Sequence, residues 1–232
     1  MRLKLITLTL IAFMNQFTYA YGQEIFKKYS SKDTLVSNIE NLIKEFDSFI
    51  KEKGVNPPYV PSFEIKTTNS LIYWDNYKKE IVLPFWDELY PEQKEVFTNW
   101  QGENAEQFFT AMFNWFFIPH ELGHFITSLN SDNTLKPYKS EWVANKFAVA
   151  FLISQKENHR KIEFIENSLE EVLNLLPEVD LGDMTEEEYF DANYDGLGVD
   201  PNVYAYFQFK IILDILKTRD EIKIQNYLNS VK

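Results

Sequence analysis

At 232 residues the chain has the length of one ordinary domain, and its 45% hydrophobic and 16% aromatic content supplies a real core, which excludes a disordered chain. A net charge of −12 excludes a protein that tracks nucleic-acid phosphates or anionic lipid, because both favour clustered Lys and Arg. The absence of cysteine excludes disulfides and thiolate metal sites together.

The first residues read differently from the rest. Arg2 and Lys4 precede a largely apolar run from Leu5 to Met14, and a polar stretch then ends at the small residue Ala20. This pattern predicts a secretory signal peptide over residues 1–20, too short to span a membrane, with cleavage near Ala20 and Tyr21 as the new N-terminus. Residues 21–232 are then one domain in a secreted or periplasmic location. No later apolar run reaches the roughly 18 residues of a membrane span, so no stable membrane association is expected after signal removal.

From Asp33 to Lys53, Leu35, Ile39, Leu42, Phe46 and Ile50 recur at spacings of three and four, which predicts an amphipathic helix. Gly54 and then Pro57-Pro58 end it. Leu71-Ile72-Tyr73-Trp74 and Glu80-Ile81-Val82-Leu83, separated by Asp75-Asn76-Tyr77-Lys78, predict a β-hairpin that Pro84 closes. From Pro91 onward the patterns are helical, broken by a loop at 128–139 and by a polar, glycine-containing stretch at 181–201. Glu186-Glu187-Glu188 lacks the spacing of a calcium loop and reads as a solvated helix start. The expected fold class is α+β, mostly α, with a small antiparallel sheet and five or so helices after it.

Two of the three histidines bracket a glutamate in His120-Glu121-Leu122-Gly123-His124. Residues four apart lie on one helix face about 6 Å from each other, so two imidazoles there can converge on one Zn²⁺. Glu121, next to the first ligand, is set to act as general base towards a water on the metal. The flanking Phe116, Phe117, Leu122, Phe125 and Ile126 predict a mostly buried helix, in which such polar residues need partners. Pro119 disfavours helix at Ile118, so the helix either kinks there or starts anew. Gly123 reads two ways, as close approach of another backbone or as mere tolerance.

A catalytic zinc normally takes three protein ligands, so one more is needed. Glu141, seventeen residues after His124, is the best candidate, with Ser140 as N-cap placing it in the first turn of the next helix. Asp132 sits in a polar loop and His159 in a solvated charge cluster, which disfavours both. Ala144 and Ala148 offer a small-residue stripe for close helix packing, and Asn145 can accept a hydrogen bond from a ligand histidine.

HELGH followed after a loop by ExxAN resembles the gluzincin class of zinc peptidases over roughly residues 115–152. The resemblance implies a zincin-like fold: a sheet whose edge strand holds an extended peptide, the HExxH helix below it, and a glutamate ligand on the next long helix. It also implies a Tyr or His that stabilises the oxyanion, for which Tyr138, Tyr194, Tyr204 and Tyr206 are all open. The expected function is an exported zinc metallopeptidase acting on a peptide or protein substrate, with His120, His124 and Glu141 on the metal and Glu121 as base. A non-catalytic zinc-binding or interaction module and a zinc hydrolase of a non-peptide substrate are the competing readings.

Overall fold

A computed structural model describes residues 25–130 and 135–229, so the predicted signal peptide with its cleavage at Ala20, and Asp132, lie outside the described residues. Helix α1 spans Lys32–Glu52, one residue from the predicted bounds at each end. Ser31 and Thr34 close a capping box at its start, satisfying N–H groups that the first turn leaves without partners. Leu35, Ile39, Leu42, Ile43, Phe46, Phe49 and Ile50 are buried along one face. Gly54 leaves the helix at φ 85°, a conformation open to glycine at little steric cost.

Among the described residues the sheet has three strands, β1 (Ser62–Ile65), β2 (Tyr73–Asp75) and β3 (Glu80–Leu83), in the order β1-β3-β2. β2 and β3 form the predicted hairpin, pairing Trp74 with Ile81 antiparallel. Asp75 makes the turn, accepting from the N–H groups of Tyr77 and Lys78 at 2.9 and 3.0 Å. The expected antiparallel sheet is corrected to a mixed one, since β1 pairs β3 parallel, Phe63 beside Ile81. A parallel neighbour is built by long-range chain reversal, and the alternation of side chains along one strand carries no sign of it.

Helix α2 (Pro91–Gln101) is followed by α3 (Ala105–Ala111), a π-helical segment at Met112–Phe116, and α4 (Phe117–Ser128), which carries the HExxH residues. Of the two readings of Pro119 the new start is the nearer: α4 begins at Phe117, two residues before the proline and directly after the π segment. A π segment misaligns carbonyls, and here one of them takes an outside partner while the side chain of the same residue makes a second outside contact. The Asn114 carbonyl accepts from Asn38 Nδ2 at 3.1 Å, and Asn114 Nδ2 donates to the Pro84 carbonyl at 3.0 Å. The start of the HExxH helix is thereby tied to α1 and to the end of β3.

Helix α5 (Pro137–Ser154) packs along α4, and α6 (His159–Leu175), α7 (Glu186–Leu197), α8 (Pro201–Lys217) and the short α9 (Gln225–Leu228) follow among the described residues. α8 lies against α5, α6 and α7, while α4 also touches α1 and β2. The main core runs from α1 through α4 and α5 to α8, and a smaller cluster of Phe190, Leu197 and Phe207 joins α7 to α8. The acidic run does open a helix: Thr185 caps α7 and Glu188 returns a hydrogen bond to the cap.

Gly123 decides how close α4 and α5 come. A Cβ on it would stand 2.9 Å from Ala144 Cα and 3.0 Å from the Ala144 carbonyl oxygen. Backbone cannot step aside as a flexible side chain can, so close approach is the correct reading of this glycine. Gly123→Ala is expected to destabilise the protein by about 1–3 kcal/mol through overpacking, although alanine is the better helix former by about 1 kcal/mol. Gly196→Ala in α7, where the new methyl meets nothing within 4 Å, is expected to be neutral or stabilising. Urea midpoints of the two variants check the contrast, and equal behaviour would contradict it.

Candidate metal centre

On α4, one helical turn brings His120 and His124 together with their Nε2 atoms 3.1 Å apart. Glu141 arrives from α5: its Oε2 is 3.3 Å from His120 Nε2 and its Oε1 is 3.7 Å from His124 Nε2. His120 and Glu141 are buried, and His124 keeps some exposure. The three form a group that can hold a metal ion. Bonds of about 2.1 Å to a tetrahedral ion would set the ligand atoms about 3.4 Å apart, close to these separations.

Glu141 is the fifth residue of α5, which corrects the expected N-cap at Ser140. Pro137 begins the helix, its fixed φ suiting the first helical position, with Lys136 as the cap residue. The Tyr138 N–H donates across the fold to Asp191 Oδ1 at 2.9 Å, a partner no local pattern discloses. Ser140 is thus left free for another contact, and its Oγ lies 3.3 Å from His124 Nδ1.

Asn145, one turn beyond Glu141, takes the place foreseen for it, with Oδ1 2.8 Å from His120 Nδ1. Behind it stands Gln208 from α8, which sequence reasoning missed. Gln208 Nε2 donates to Glu141 Oε2 at 2.8 Å and to the Tyr204 hydroxyl at 3.2 Å, while Asn145 Nδ2 donates to Gln208 Oε1 at 3.4 Å. Its only sequence signal was an amide in the otherwise apolar and aromatic run from Tyr204 to Phe209.

The charges in the group hold one another. Burial disfavours the protonated His124 imidazole, but the Glu141 carboxylate beside it more than offsets this and lifts its pKa to about 9. Burial likewise works against the Glu141 carboxylate, and the two histidines overcome it and hold the carboxyl well below the usual range. Glu121 behaves oppositely, its carboxyl raised by burial against the pull of His120 and His124. The Trp74 backbone N–H, on strand β2, donates to Glu121. Glu121 Oε1 is 4.0 Å from His120 Nε2.

Of the four tyrosines, Tyr194 and Tyr204 are close enough to feel the charges of both Glu141 and Glu121. Burial of the hydroxyl, reinforced by those charges, raises Tyr194 to about 12 and Tyr204 well above its ordinary value. Tyr138 and Tyr206 respond instead to Glu186 and Lys210. His159 stays on the surface, its Nε2 3.2 Å from Glu163 Oε1, and is no part of the group. No protein-family model, no curated protein and no solved structure matches the chain.

Proposed function

We propose that the chain is an exported zinc-dependent peptidase of the gluzincin kind, with a zincin-like fold, in which His120, His124 and Glu141 hold the metal and Glu121 is the general base. The observation that carries this reading is Glu121. It is a second buried carboxylate beside the metal group without belonging to it, and a purely structural site has no use for such a group. Burial raises its carboxyl, which brings it nearer to the range of a base working at neutral pH.

When bound, the metal supplies Lewis acidity and lowers the pKa of water to about 7. Glu121 takes the proton from the attacking water and passes it to the leaving amide nitrogen, and the Trp74 N–H keeps the carboxylate aimed for both transfers. β2 is an edge strand of the sheet, so an extended peptide can add beside it through main-chain hydrogen bonds and come to lie over Glu121. Tyr194 and Tyr204 are the candidates to stabilise the oxyanion, since the charges of both carboxylates reach them.

The test is metal content of the purified protein together with turnover of an unstructured protein substrate. One zinc per chain is expected, with peptide release that a chelator stops and added zinc restores. Stoichiometric zinc without peptide release would instead support the binding module.

A further inference from the structure

Helix α8 buries Ala205, Phe207, Phe209, Ile211 and Ile212, and among them it buries the amide of Gln208. Burying an amide in apolar surroundings costs several kcal/mol, on the order of 2–7, unless both its ends are bonded. Here they are, and the partners fix which end is which. An ionised Glu141 only accepts hydrogen bonds, so the atom facing it at 2.8 Å is the Gln208 NH₂. Gln208 then shows its oxygen to Asn145, which must answer with its own NH₂. Asn145 is left with its oxygen towards His120 Nδ1 at 2.8 Å, so that nitrogen carries the hydrogen. The neutral imidazole has one N–H, and the bare lone pair therefore sits on Nε2, facing Glu141 and His124.

We propose that Gln208 is a positioning residue that sets the tautomer of His120 through Asn145 while anchoring the Glu141 carboxylate. The relay begins and ends on two members of the same group, Glu141 and His120, and it crosses from α8 to α5 to α4. One side chain on a third helix thus coordinates the orientation of two ligands. The inference rests on the reading of His120, His124 and Glu141 as a metal site, because only a ligand needs the lone pair on Nε2. Partners of this kind behind a ligand are worth about 10–100-fold in metal affinity.

The experiment uses the parent protein, Gln208→Met, and Gln208→Met combined with Asn145→Asp. Methionine keeps the length of the side chain and removes both of its hydrogen-bonding ends. ¹⁵N-histidine NMR of chelator-treated protein, under alkaline conditions that leave the imidazoles neutral, reads the tautomer of each ring, with exposed His159 as internal reference. Competition with a chelating dye at neutral pH reads zinc affinity. The parent is expected to show His120 protonated on Nδ1. Gln208→Met should show a mixture with the Nε2–H form and zinc affinity lower by about tenfold or more. An aspartate at position 145 accepts from Nδ1 whichever way it turns, so the double variant should recover the Nδ1–H form and part of the affinity.

A Gln208→Met protein that keeps the Nδ1–H form of His120 overturns the proposal, whatever its zinc affinity, and so does a double variant that fails to recover it. If Gln208→Met does not fold, Asn145→Leu breaks the same relay one link further on, with the same two readings. A parent protein that takes up no zinc would sink the metal reading, and the tautomers would still decide the relay.

Discussion

Glu121→Gln is expected to bind zinc as the parent does and to cleave an unstructured protein substrate about 10³-fold more slowly, within the usual range for loss of a general base. The change spares every atom of the metal group, since His120, His124 and Glu141 keep their mutual distances. An amide oxygen can still accept from the Trp74 N–H, so the side chain stays in place. What disappears is the ability to take a proton from water. His120→Ala or His124→Ala should differ in kind, losing the metal itself. Glu121→Gln with the parent's turnover, measured on the same substrate at equal zinc occupancy, would remove Glu121 as the base.

Glu141→Ala is expected to weaken zinc binding by more than about 100-fold, beyond the 10–100-fold cost of losing a supporting partner. Two imidazoles 3.1 Å apart remain, but the only anion of the group is gone. The loss also leaves the buried Gln208 NH₂ without its 2.8 Å acceptor. Thermal unfolding of the metal-free variant separates that structural cost from the affinity. His159→Ala should leave zinc affinity unchanged, since its imidazole is exposed and pairs with Glu163. Asp132→Ala is expected to have little effect. An equal or larger loss at either position, read by dye competition, would move the third ligand away from Glu141.

The sequence by itself determined what depends on spacing along one element. Helix α1 was legible because its apolar residues repeat at helical period between a cap and a glycine stop. His120 and His124 were legible as a pair because one helical turn fixes their separation whatever the rest of the chain does. Asn145 was legible for the same reason once Glu141 was placed, although the start of its helix was misjudged. The acceptor for the Tyr138 N–H that helps begin α5 is Asp191, 53 residues away.

Only the tertiary structure decided the rest. Gly123 is glycine because Ala144 of another helix lies against it, and β3 has a parallel partner because the chain returns to it from Ile65 through β2. Gln208 reaches Glu141 across 67 residues, and the Trp74 amide reaches Glu121 from an edge strand. A periodic pattern records which face of an element is apolar, and it carries no record of which other element will cover that face. Polar partners of the site are chosen by that covering, since a buried amide or carboxylate must be satisfied by whatever packing brings within reach.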